Sequence, residues 1–122
     1  MKKSNKKSYR DLIVWRKAHR FFLTVCRTTD NFPMAEYYEL TAQMRRASVA
    51  IVDHLSKDYK EHRRNLFSKN VMVCEGALQE LQNYINKARA LGYLKDNVLN
   101  EKLCDLRFCI RIHKYAVSTA TQ

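Results

Sequence analysis

The sequence contains little glycine and proline, and it has no long apolar run. Two glycines and one proline in 122 residues are too few for a fold rich in strands and turns, and they exclude a glycine-rich phosphate-binding loop. No segment has the apolar length of a membrane-spanning helix, and charged residues interrupt the region after the basic start, so no secretory leader is indicated. We therefore expect a soluble, cytoplasmic protein with no membrane partner.

Motifs for catalysis, metals and cofactors are missing as well. The four cysteines, Cys26, Cys74, Cys104 and Cys109, form no C-x-x-C pair, which is typical of small buried side chains in a reducing compartment. The carboxylates are scattered, and no Glu-x-x-His motif of a di-iron bundle occurs. A histidine within an apolar pattern, such as His19, is more often a core residue than a metal ligand. The sequence thus predicts no enzyme, no metal site and no cofactor.

Apolar residues recur with helical spacing along four segments, about 9–29, 35–59, 65–91 and 96–119. This periodicity of three and four residues predicts amphipathic helices. Asp30 to Pro33 separates the first two, and Gly92 is suited to end the third because glycine adopts positive φ without strain. The sequence therefore predicts an all-α fold, an antiparallel up-down-up-down four-helix bundle over residues 9–122, preceded by a basic flexible arm over residues 1–8. The expected core-facing residues are Leu12, Trp15, His19, Phe22 and Cys26 in the first helix, with Ala18 and Val25 widening this face; Tyr37, Leu40, Met44, Ala47, Ile51 and Leu55 in the second; Phe67, Val71, Cys74, Leu78, Leu81, Ile85 and Ala88 in the third; and Leu99, Leu103, Leu106, Ile110, His113 and Val117 in the fourth.

Positive charge is abundant and unevenly distributed. The net charge is +11, and the first 29 residues hold nine Lys or Arg against one acid, Asp11. Such a segment favours a polyanionic partner, most commonly nucleic acid, although charged outer faces also occur on ordinary soluble helices. Because no base-reading motif is present, we expect contact with the RNA or DNA backbone rather than with specific bases. The candidate phosphate-binding residues are Lys2, Lys3, Lys6, Lys7, Arg10, Arg16, Lys17, Arg20 and Arg27, and secondarily Arg45, Arg46, Arg107, Arg111 and Lys114.

The third and fourth helices carry a second apolar stripe beside the core-facing one. A bundle helix needs one apolar face, so an additional stripe favours association with another protein surface, although wide faces also arise from irregular packing. We expect a homo-oligomer whose interface includes Leu66, Val73, Tyr84, Leu91, Phe108, Ile112 and Tyr115.

Four segments resemble a known family. They are YRDLIVWRKA at 9–18, FP at 32–33, YELTAQMRRAS at 38–48 and LGYL at 91–94. In order and spacing they resemble the four-helix-bundle proteins encoded in ribosomal-RNA intervening sequences, and the related accessory variability determinant (Avd) proteins of diversity-generating retroelements. Residues 49–58 depart from the intervening-sequence pattern, because a SIPSNIAEG-like stretch with proline and glycine is absent.

The resemblance implies a basic, barrel-shaped homopentamer. In the retroelement branch it also implies contact with a reverse transcriptase and its template RNA, whereas the intervening-sequence branch has no defined activity. We therefore expect an Avd-like, non-enzymatic accessory subunit. The alternatives are an intervening-sequence protein of undefined role and a scaffold for an acidic protein partner.

Overall fold

The chain folds into four long helices. The computed structural model describes residues 2–61 and 64–120, with side chains described for residues 12–56 and 72–112. No strand occurs in these ranges, which confirms the predicted all-α class. The helices are α1 (Lys2–Thr29), α2 (Ala42–Glu61), α3 (Arg64–Ala90) and α4 (Val98–Ala120).

Each helix packs against two neighbours, in the order α1, α2, α3, α4 and back to α1. Arg45, near the start of α2, bonds to Thr29 at the end of α1. Gln82, late in α3, bonds to Asn100 early in α4. Consecutive helices therefore run antiparallel, and the predicted four-helix bundle is confirmed.

Two helix starts differ from those predicted. α1 begins at Lys2 rather than near Tyr9, since no glycine or proline interrupts residues 2–29. The flexible arm over residues 1–8 stays a prediction. The second helical region begins with a 3₁₀ turn, Met34–Glu36, and a π-helical turn, Tyr37–Thr41, before α2. These turns change the register, and Tyr37, predicted to face the core, is 51% exposed.

The core lies along the bundle axis, as the periodicity of α2, α3 and α4 predicts. In α1, Ala18 and Val25 are buried as predicted. The buried face is rotated so that Val14 and Phe21 complete it in place of the predicted Trp15 and Phe22, because the apolar runs at 12–15 and 21–23 fit more than one face. Trp15 and Phe22 pack against the edge of the core. The buried core residues of the helices include Val14, Ala18, Phe21 and Val25 in α1; Met44, Ala47, Ile51 and Leu55 in α2; Cys74, Leu78, Leu81, Ile85 and Ala88 in α3; and Leu99, Leu103, Leu106 and Ile110 in α4.

The α1–α2 connection and the α3–α4 connection contact each other at one end of the bundle. Gly92, at φ 82°, follows α3, and the amides of Gly92 and Tyr93 donate to the carbonyls of Arg89 and Ala88. This is the Schellman arrangement expected of a helix-ending glycine. The Tyr93 ring contacts Phe32 at a centroid distance of 5.3 Å, and its hydroxyl donates to Glu36 Oε2 at 2.9 Å. The α1–α2 and α3–α4 connections are thereby joined.

None of the described helices has a stretch that is both apolar enough and long enough to cross a bilayer.

Candidate nucleic-acid interface

The outer face of α1 presents three exposed arginines, Arg16, Arg20 and Arg27. They lie at i, i+4 and i+11, a span of about 17 Å along one side of a helix. Within the described part of the chain, no ion pair or side-chain hydrogen bond engages their guanidinium groups. A guanidinium fork matches the charge and bidentate geometry of a phosphate group, so three such groups without partners on one helix face are suited to a phosphate backbone.

Lys17 lies at the edge of this face, where α1 meets α4. Its Nζ is 3.2 Å from Asp105 Oδ2, and both side chains are well exposed. The hydrogen bond to Asp105 is the main cause that raises the pKa of Lys17, with a smaller contribution from the nearby Cys109. Lys17 is thus a positioned cation whose charge is partly balanced.

A cleft of about 160 Å³ opens beside this ion pair, between α1 and α4. Arg20 and Thr24 of α1 line one wall, and Lys102 and Asp105 of α4 line the other. Lys102 was not predicted as a site residue. The one relevant sequence feature is that it lies one helical turn before Asp105, and this feature becomes informative only when α1 and α4 are known to be neighbours.

Arg45, a secondary candidate, is engaged within the chain. Its Nε donates to Thr29 Oγ1 at 2.9 Å, and its Nη2 donates to the Cys26 carbonyl at 3.2 Å and to Asp30 Oδ1 at 2.8 Å. These bonds place a cation at the carboxyl end of α1, where the helix dipole favours positive charge. The side chain is therefore committed to joining α1 and α2.

The other secondary candidates lie on two further surfaces. Arg107 donates from Nη2 to the Leu78 carbonyl at 3.3 Å, so it lies on the α3 side of α4. Arg111 is exposed farther along α4, and Arg46 is exposed on α2. The structure thus brings the predicted cations of α1 together but separates them from Arg46. The side chains of Lys2, Lys3, Lys6, Lys7, Arg10 and Lys114 lie outside the described residues.

The predicted apolar stripes occupy two different surfaces. Val73 and Tyr84 line an open groove between α2 and α3, about 260 Å³ in volume, whose other apolar lining is small. We call this the α2–α3 groove, and its apolar lining consists of Ala47, Ala50, Val73, Gly76, Ala77 and Tyr84.

The stripe of α4 points outward from the bundle. Phe108 and Ile112 are 62% and 54% exposed, and Cys104 is exposed one turn before Phe108. We call these three residues the α4 ridge. Leu91 is also exposed, whereas the side chains of Leu66 and Tyr115 lie outside the described residues.

Metal-binding chemistry is not indicated by the side chains described. In residues 12–56 and 72–112, no three His, Cys, Asp or Glu side chains are grouped so that they could hold a metal ion. His19 stacks on Trp15 with ring centroids 5.2 Å apart, an aromatic contact at the edge of the core. His113 lies outside the described side chains.

The comparison with protein-family models is decisive for the family. A model of the 23S rRNA-intervening sequence proteins matches residues 10–113. The chain belongs to this family. The family region begins at Arg10 in α1 and extends into α4, so it includes parts of all four bundle helices and every exposed arginine described above. A comparison with curated protein sequences finds no match.

The segment that departs from the expected family pattern is helical in this member of the family. Residues 49–58 belong to α2, which continues unbroken from Ala42 to Glu61. Ile51, Val52 and Leu55 are buried in the core. Here the family region forms a continuous bundle helix without the proline and glycine of the expected stretch.

Proposed function

We propose that this intervening-sequence protein binds the phosphate backbone of RNA with the outer face of α1, without catalysing a reaction. The observation that carries the proposal is the row of Arg16, Arg20 and Arg27, exposed and without partners in the described part of the chain. A charged face that serves solubility alone carries both signs. The described residues of α1, from Leu12 to Thr29, include no acid.

The surrounding charges extend the same surface. Lys17 and Lys102 flank the cleft between α1 and α4, and Asp105 is the acid that faces them. Contact with phosphates at these points releases counterions, so affinity falls steeply with salt. Binding at this site depends on the charge and spacing of the backbone phosphates, so we expect little preference for base sequence.

Filter binding of a single-stranded RNA across a salt series tests the proposal. An Arg16→Ala/Arg20→Ala/Arg27→Ala variant removes three charges from the face. If each arginine holds one phosphate, the slope of log affinity against log salt becomes shallower by about 2, and binding changes about 20-fold less between 50 and 200 mM salt. The matched control, Lys87→Ala/Arg89→Ala/Lys95→Ala, removes three exposed charges at the end of α3 and beyond it, and keeps the wild-type slope.

Three outcomes contradict the RNA proposal. Absence of binding by the wild type at low salt rejects it outright. If the two triple variants lose RNA affinity equally, net charge rather than the α1 face is responsible for RNA binding. Stronger binding to duplex DNA than to RNA means that the polyanion was misassigned. If the protein is instead a scaffold for an acidic protein partner, we expect no RNA binding at low salt and capture of that partner.

A narrower role follows from the sequence resemblance. We propose that the chain is an Avd-like accessory subunit that contacts a reverse transcriptase and its template RNA. The unbroken α2 and the basic α1 support this role over that of an intervening-sequence protein alone. A reverse-transcriptase gene and a variable repeat beside this gene, and co-purification of the two proteins, are expected. Without such neighbours, the intervening-sequence role is the better description.

We further propose that the chain functions as a homo-oligomer, for which the resemblance implies five copies. The exposed α4 ridge supports this proposal, because aromatic and aliphatic side chains of this size are usually covered when they lie together. Light scattering coupled to size exclusion is expected to give a mass of several chains at micromolar concentration. A monomer under these conditions contradicts the proposal.

A further inference from the structure

We propose that the α4 ridge of one copy inserts into the α2–α3 groove of the next copy. The occupant of the groove is thus a second copy of this chain, bound through a different surface from the one that it offers in turn. The inference rests on the proposed homo-oligomer and adds to it which surfaces meet. Contacts of this head-to-tail kind form a closed ring when the rotation between copies permits.

Gly76 is the first observation. It lies in the middle of α3, where a glycine costs about 1 kcal/mol of helix stability relative to alanine. A Cβ placed at Gly76 meets nothing within 4 Å, so packing inside the chain does not require a glycine there. The residue lines the α2–α3 groove. A glycine on the floor of an open groove permits close approach by a large side chain from outside.

The ridge has the shape that such a groove accepts. Phe108 and Ile112 are large, exposed and one helical turn apart. The groove floor is low because Ala47, Ala50 and Gly76 are small. Burial of two such side chains contributes about 1.5–3 kcal/mol each to association, before the cost of association itself.

The ridge and the groove lie at the same level of the bundle. Gln82 Nε2 donates to Asn100 Oδ1 at 2.8 Å, and Arg107 bonds to the Leu78 carbonyl. Since α3 and α4 are antiparallel, Phe108 lies about half a turn below Leu78, level with Gly76. In a ring whose axis is parallel to the bundle, neighbouring copies sit at one height, so Phe108 of one copy meets Gly76 of the next.

The charges around the two surfaces are complementary in the same arrangement. Arg46 and Glu80 border the groove together with Tyr84. Glu101 is exposed one turn before Cys104 on α4 and lies level with Gln82, so in this arrangement it approaches Arg46, which lines the groove together with Tyr84. This pairing of opposite charges favours this register over a slipped one.

The first experiment fills the groove. A Gly76→Leu variant puts bulk where the protomer has open space, so we expect the protomer to stay folded with an unchanged helical circular dichroism. Association weakens at least tenfold by sedimentation velocity, because Phe108 loses its place. The matched control, Ala90→Leu, adds bulk at an exposed position in the last turn of α3 and associates like the wild type.

The second experiment links the surfaces covalently. In a Cys104→Ser/Cys109→Ser background, Arg46→Cys combined with Glu101→Cys is expected to give a ladder of disulfide-linked chains under mild oxidation. Either substitution alone gives no ladder, because each surface meets the other one and not itself. Dimers from the Glu101→Cys variant alone indicate a two-fold contact and overturn the inference.

A charge exchange completes the design. Arg46→Glu weakens association, and addition of Glu101→Arg restores it, if the two side chains meet across the interface. An oligomer that persists unchanged in Gly76→Leu and Arg46→Glu overturns this interface and leaves the homo-oligomer intact. A monomeric wild type overturns both. RNA binding is measured separately and bears on neither result.

Discussion

Arg45→Ala is the substitution for which the structure and the sequence lead to different expectations. The sequence makes Arg45 a candidate phosphate contact. In the fold its guanidinium bonds to Thr29, to the Cys26 carbonyl and to Asp30, and so connects the end of α1 with α2. We therefore expect a loss of stability, with RNA affinity unchanged when the folded fraction is matched.

The size of the loss follows from the three contacts. The bonds to Thr29 and to the Cys26 carbonyl are partly buried and contribute about 1 kcal/mol each. Asp30 is 72% exposed, so its ion pair adds less than about 0.5 kcal/mol. Packing of the methylene stem adds a similar amount. The total is about 2.5 kcal/mol, which for a chain of this length lowers the thermal midpoint by about 10 °C.

Urea unfolding followed by circular dichroism, at one fixed protein concentration, measures the effect. Arg16→Ala removes an exposed, unpartnered arginine and changes stability by less than about 0.5 kcal/mol. Asp30→Asn removes the ion pair alone and costs a similarly small amount. Arg45 does not have this structural role if Arg45→Ala lowers the free energy of unfolding no more than Asp30→Asn does, or if it weakens RNA binding as strongly as loss of an α1 arginine.

Three further predictions follow from contacts described above. Asp105→Asn removes the acid beside Lys17, so RNA is expected to bind several-fold more tightly at low salt, and an unchanged affinity in filter binding would place the nucleic acid elsewhere. Leu81→Ala, at a fully buried position, should lower the free energy of unfolding in urea by about 3 kcal/mol. A loss below about 1 kcal/mol would mean that Leu81 is not packed in the core. The hydrogen bond donated to Glu36 raises the pKa of Tyr93 above its usual value of 10.0. Because the bond needs the neutral phenol, its stabilising effect is present below pH 10 and is lost as the pH rises through the raised pKa, so the tyrosinate titration should lose a component above pH 10 in Tyr93→Phe.

The helices and most of the core are predictable from the sequence. Apolar residues in α2, α3 and α4 repeat with one clear helical phase, as at Met44, Ile51 and Leu55, and the structure buries those positions. Gly92 has one favourable role after a helix and fulfils it. In α1, adjacent apolar residues allow more than one phase, so the choice of Val14 and Phe21 over neighbouring residues depends on the helices packed against them.

The candidate site is predictable in composition but not in arrangement. Nine cations in the first 29 residues are visible without a fold, and the sequence alone therefore determines that α1 is the basic helix. Whether a cation is free or engaged depends on residues distant in the chain. Arg45 meets Thr29, 16 positions away, and Lys17 meets Asp105, 88 positions away.

The sequence by itself determined the helical class, the four-helix count, the family and the basic character of α1. These properties depend on short-range periodicity and on composition, which act within a few residues of each other along the chain. Only the tertiary structure shows that Lys102 lies beside the α1 cations and that Arg45 connects α1 with α2. It also shows that the two apolar stripes form a groove and a ridge on separate surfaces. Those properties depend on which helix faces become neighbours, and this is settled by the packing of the whole core rather than by any local pattern.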